Sequence, residues 1–96
     1  MSEPDVQHEA SDSKGRYFID HGNGASELTY SRLSALTVIA DHTEVAEGHE
    51  GTGVGLRLLE ALLADARKHG FRIVPLCPFV NAQRRKHPEW AMLFNV

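Results

Sequence analysis

The chain has 96 residues, of which 42% are hydrophobic and 24% charged, with a formal net charge of −3 when histidines are neutral. That length leads us to expect one compact unit with a small core and no second domain, and the composition is unlike that of a disordered or collagen-like chain. A net negative chain has no general attraction for nucleic-acid phosphate, so any anion site must be built locally.

Residues 1–14 (MSEPDVQHEASDSK) offer too little apolar surface to offset the entropy of ordering and are expected to form a flexible acidic tail. The folded domain is expected over residues 15–96. Tyr17, Phe18 and Ile19 then suit a strand, and Asp20-His21-Gly22-Asn23-Gly24 supplies residues that tolerate a positive φ, as a hairpin turn needs. Residues 27–31 alternate polar and apolar side chains, the pattern of a strand with one wet face. Residues 36–40 are rich in β-branched side chains and continue through Asp41-His42-Thr43 towards Val45 as a long central strand. Three antiparallel strands in a meander account for residues 15–45.

The period then changes. From Gly53 to His69 the apolar positions Leu58, Leu59, Leu62, Leu63 and Ala66 recur at three- and four-residue spacing, which predicts a helix with one buried face. Gly70 can end it in a left-handed conformation, and Arg67, Lys68 and His69 sit where the helix dipole favours cations. Residues 71–76 predict a further strand, so a strand-helix-strand crossover gives at least one parallel pair in a mixed sheet. Residues 79–86 predict a short helix with Phe79, Val80 and Gln83 inward, and Pro88-Glu89-Trp90 begins a last helical turn that closes the core with Phe79. The fold class is therefore α/β with a mostly antiparallel sheet.

The sharpest local signal is Gly51-Thr52-Gly53-Val54-Gly55, between strand and helix. The first amides of a helix lack intrahelical partners and carry the positive end of its dipole, and glycines remove the Cβ atoms that would keep a phosphate away. The same glycines also suit a plain tight turn, and both readings stand. The spacing matches neither a Walker loop nor the dinucleotide fingerprint, which disfavours nucleoside triphosphates and NAD.

Together with Asp41-His42-Thr43-Glu44-Val45, Ala66-Arg67-Lys68-His69-Gly70, the run from Val74 through Val80, and His87-Pro88-Glu89-Trp90, this loop resembles the GNAT superfamily, in its minimal single-domain N-acetyltransferase-like group. The resemblance covers nearly everything from Gly15 onward. It implies an acyltransferase using acetyl-CoA as cosubstrate, with an amine on a small molecule or a protein as acceptor. The superfamily's pyrophosphate motif lands on Glu50, Gly53 and Gly55, with a carboxylate at Glu50 where that motif has a basic or amide residue. The resemblance further implies that the central strand splays from its parallel neighbour, that the backbone of Glu44, Val45 and Ala46 pairs with the pantetheine arm, and that Gly51, Thr52, Gly53, Val54 and Gly55 hold the diphosphate. Arg84, with Arg85 and Lys86, is the nearest basic cluster for the 3′-phosphate, or else a solvated helix face. A non-catalytic CoA or acyl-CoA binding module is the alternative function.

Acetyl transfer needs a neutral amine and an acid for the departing thiolate. Cys77 and His42 are the residues that fit these roles, set against their plainer readings as a small buried hydrophobe and a structural histidine. The superfamily's common tyrosine acid has no counterpart, since no tyrosine follows Tyr30 and Gln83 stands in that region. Cys77 is the single cysteine, which excludes an intrachain disulfide, and the six histidines show no paired ligand spacing, so no metal is expected. No apolar run approaches the roughly 20 residues that cross a bilayer, and the expectation is a cytoplasmic monomer or weak homodimer without nucleic-acid or membrane partners.

Overall fold

The computed structural model describes residues 5–96. A five-stranded sheet runs in sequence order, β1 (Gln7–Ala10), β2 (Lys14–Asp20), β3 (Ala25–Ser34), β4 (Thr37–Glu44) and β5 (Arg72–Pro75). The first four strands are antiparallel and β5 joins β4 in parallel across the helix α1 (Val54–His69). A short helix α2 (Pro78–Lys86) and a 3-10 segment (Pro88–Leu93) complete the chain.

One face of the sheet carries Tyr17, Ile19, Leu28, Tyr30, Val38 and Ala40, and α1 lays Leu58, Leu59, Leu62, Leu63 and Ala66 against it in a single core that also holds Ile73, Cys77, Val80, Trp90 and Phe94. Period-two burial in the strands meets the three-four spacing of the helix, the arrangement of a sheet covered on one side. Helix α1 stops at Gly70, whose positive φ of 77 lets its amide donate to the carbonyl of Ala66 at 2.9 Å. Trp90 closes the core with His87 stacked on it at 4.1 Å, and Phe79, partly buried against the same core, also lies close to Gly55 of α1.

Strand β1 corrects the expected flexible tail: residues 7–10 of that span are strand, and residues 1–4 lie outside the described residues. All four β1 side chains are exposed, so apolar burial does not hold the strand. Its backbone pairs with β2, Arg16 Nε and Nη1 donate to Glu9 and Glu27 at 2.8 and 2.9 Å on the open face, and His8 stacks on Tyr17 at 4.4 Å on the other. Polar and aromatic anchoring of this kind escapes a test based on apolar content.

Candidate functional site

Strands β4 and β5 separate where the chemistry is expected. Their parallel ladder ends at Ala40 opposite Pro75, whose ring removes the next donor, and the Cys77 amide makes a last bond to the Ala40 carbonyl at 2.8 Å. Pairing of β4 with β3 runs on to Glu44 opposite Glu27, so the far half of β4 turns one backbone edge towards the gap that Cys77 and α2 border.

A bulge at Asp41 decides which side chains reach that gap. Tyr30 pairs with Ala40 and Thr29 with His42, so Asp41 is the extra residue and the alternation of β4 flips beyond it. Thr43 lies opposite buried Leu28 and so faces the core, where its Oγ1 and the Cys77 Sγ share a hydrogen bond at 3.3 Å. His42 lies opposite Thr29 on the open face and is exposed. The structure therefore places the two candidate catalytic residues on opposite faces of β4, with Cys77 only 2% exposed.

Between β4 and α1 the loop is shaped by left-handed glycines, Gly48 at φ 90, Gly51 at 75 and Gly53 at 84. Gly53 is the residue before α1 and supplies no side-chain cap, and the first intrahelical bond runs from the Arg57 amide to the Gly53 carbonyl, so the amides of Val54, Gly55 and Leu56 have no partner within the helix. A Cβ built at Gly51 or Gly53 would meet nothing within 4 Å, so this surface is open. Gly55 differs: a Cβ there would come 3.0 Å from the Phe79 ring, so its glycine lets α2 lie close to α1. Thr52 Oγ1 donates to the His49 carbonyl, and Val54 is buried in the core. The Glu50 carboxylate bends back to accept the Gly48 amide at 2.9 Å.

Ala46 is already engaged. Its amide donates to Ser26 Oγ at 2.8 Å and its carbonyl accepts the His49 amide at 3.0 Å, leaving Glu44 and Val45 as the freer part of the expected pantetheine stretch. Ser26, fully buried, also bonds His21 Nε2 at 2.8 Å, and the His21 ring stacks on His49 at 3.6 Å. Having accepted from Ala46, the hydroxyl has its own proton free for His21 Nε2. This latch escaped the sequence reading, although Ser26 shares the core-facing register of Leu28 and Tyr30, the one available signal for a polar group at work inside.

Arg84 lies on the last turn of α2, half-buried, with its Nε on Asn81 Oδ1 at 2.8 Å, and Arg85 and Lys86 beside it are exposed. Among the described residues no group of three or more His, Cys, Asp or Glu side chains is placed to hold a metal ion, and no helix is long and apolar enough to cross a membrane. Two clefts, of about 510 and 420 Å³, lie on the β1–β3 side of the sheet and are not lined by the glycine loop.

The model of the GCN5-related N-acetyltransferase family matches residues 16–93. No functionally curated protein matches in sequence. Among solved structures, the chain resembles the solution structure of a GCN5-like candidate N-acetyltransferase from Staphylococcus aureus, with a TM-score of 0.72 and 26% identity over 99% of this chain and 91% of that one. The mixed sheet, the crossover through α1 and the parted β4 and β5 agree with that match, and the chain belongs to the GCN5-related N-acetyltransferase family.

Proposed function

We propose that the chain transfers the acetyl group of acetyl-CoA to an amine on a small molecule or a protein. One observation carries the reading: an uncapped α1 N-terminus, approached through glycines with open space above them, lies next in the chain to a strand edge released from its neighbour. Family membership supports it. In this reading the amides around Gly51, Thr52, Gly53, Val54 and Gly55 take the diphosphate, Glu44 and Val45 take the pantetheine amides, Ala46 adds the spare lone pair of its carbonyl, and Arg84 meets the 3′-phosphate.

The two faces of β4 then divide the proton transfers. An amine arriving from the open face attacks the thioester carbonyl carbon and passes a proton to His42, which releases it to solvent. The C–S bond breaks, and the departing thiolate takes a proton from the Cys77 thiol, which recovers one from water. The burial of Cys77 against Thr43 favours a second reading, a CoA or acyl-CoA binding module without turnover.

Calorimetric titration with acetyl-CoA, followed by transfer assays on a panel of amines, tests both. Binding with turnover is expected, and Cys77→Ala is expected to keep binding while lowering turnover about a hundredfold. Unchanged turnover in that variant removes the role of Cys77. Binding without transfer to any amine moves the protein to the second reading, and no heat at millimolar acetyl-CoA removes both.

A further inference from the structure

At the far end of α1 from the glycine loop, a cleft of about 420 Å³ opens between the last turns of the helix and the first three strands. Tyr17, Tyr30 and Phe71 line it, 3%, 4% and 6% exposed, with Asp65 and His69 on the helix side and Arg32 on β3. The Tyr17 hydroxyl donates to Asp65 Oδ2 at 2.7 Å, and the Tyr30 hydroxyl shares a hydrogen bond with His8 Nε2 at 2.7 Å. His8 Nδ1 stands 3.9 Å from the same Asp65 oxygen. Burial first, and then the bond to Asp65, hold the Tyr17 phenol well above its ordinary pKa, so it remains a neutral donor.

Two features separate this cleft from ordinary packing. Asp65 and Arg32 carry opposite charges into one concavity, yet among the described residues they do not close into an ion pair with each other. Each also keeps bonding capacity: Asp65 has a second oxygen, and the guanidinium, 5.9 Å from the centre of the Phe71 ring, bonds the Tyr30 phenol and makes a long 3.5 Å contact to the Ser34 carbonyl, which together leave donors to spare among its five N–H groups. A simple anion entering here would meet Asp65, and a simple cation would meet Arg32. A molecule bearing both an ammonium and a carboxylate satisfies both walls and lays its apolar part on the aromatic residues.

We propose that this cleft binds a small zwitterion of the amino-acid class, its ammonium on Asp65 and its carboxylate on Arg32. Asp65 lies twelve residues along the helix from Gly53, about 18 Å at the helical rise. The ligand is therefore held apart from the glycine loop, as an effector, and the proposal does not depend on acetyl-CoA binding there.

The test is an amide-resolved NMR titration of the full chain with three probes: phenylalanine, N-acetylphenylalanine, which lacks the ammonium, and phenylalanine amide, which lacks the carboxylate. Phenylalanine is expected to shift the amides of His69 and Phe71 saturably, with each analogue at least about tenfold weaker. Asp65→Asn should erase the preference over the N-acetyl compound, and Arg32→Gln the preference over the amide. Equal midpoints for all three probes would reduce the cleft to an apolar surface and overturn the proposal. So would the absence of shifts at those amides with phenylalanine at about 50 mM, since amino-acid sites weaker than this hold little ligand in a cell. The comparison among probes uses the unaltered protein and stands even where a variant fails to fold.

Discussion

The amide of Ala46 donates to Ser26 Oγ at 2.8 Å, tying the exit of β4 to the core-facing side of β3 just ahead of the glycine loop. Removing the hydroxyl in Ser26→Ala strands that amide and frees the His21 and His49 rings stacked beyond it. A lost buried partner costs about 1–3 kcal/mol, and each of these lowers the melting temperature of a domain this size by roughly 4–8 °C. Amide exchange at Ala46 and His49 should accelerate alongside the fall. A melting temperature within about 2 °C of the parent, with exchange unchanged, shows that the latch does not hold the loop.

Gly15 and Tyr30 give a second prediction. They face each other across β2 and β3, and a Cβ at Gly15 would stand 2.3 Å from the phenol ring. That ring is buried and fixed by His8, so it has nowhere cheap to go. Gly15→Ala should cost about 1–3 kcal/mol through overpacking and release β1, read as faster exchange at residues 7–10. Gly22→Ala is a control for strain without crowding: its φ is 92, with nothing within 4 Å of the added carbon. A melting temperature for Gly15→Ala equal to the parent's, with exchange at residues 7–10 unchanged, rules out the clash.

How far the sequence foretold the molecule follows from which forces leave a periodic trace. Leu58, Leu59, Leu62, Leu63 and Ala66 mark α1 because burial of one helical face recurs every three or four residues, and Gly53 and Gly70 bracket it through their positive φ. Pro75, at the end of a short parallel strand, explains why the ladder with β4 stops where it does. The bulge at Asp41 left no comparable mark, so the separation of His42 from Cys77 had to come from three dimensions. The same holds for His8, Tyr17, Asp65 and the β3 pair Tyr30 and Arg32, which come from four separate elements and meet only in the folded sheet and helix.

The raised pKa of Tyr17 sets a high-pH prediction. Below about pH 10, the ordinary phenol value, folded and unfolded chains both keep the proton and this group adds no pH dependence. Above that, the unfolded chain loses its proton while buried Tyr17 retains it, so stability falls by about 1.4 kcal/mol per pH unit until the folded phenol also ionises. Tyr30, raised mainly by burial, steepens the fall. Tyr17→Phe should start less stable, because Asp65 loses a donor, yet show a shallower decline in denaturation midpoint between pH 9.5 and 11.5, a window chosen around the ordinary phenol value of about 10. Parallel declines for parent and variant contradict a retained proton on Tyr17.

Glu50 bears on the CoA reading most directly, because it immediately precedes the Gly51–Gly55 stretch proposed to take the diphosphate. Its Oε1 accepts the Gly48 amide at 2.9 Å, so Glu50→Ala would confound loss of charge with loss of loop geometry. Glu50→Gln separates them: the side-chain carbonyl still accepts from Gly48 and only the charge departs. With the repulsion gone, acetyl-CoA should bind about two- to fivefold tighter in low salt, the size expected of an exposed charge a few ångströms from a diphosphate. The gain should shrink as salt approaches about 1 M, where the screening length falls to roughly 3 Å. Dephospho-CoA, which retains the diphosphate, should show the same gain, whereas pantetheine, which lacks it, should show none. An equal gain for pantetheine would mean that Glu50 acts through the fold of the loop and not on the diphosphate.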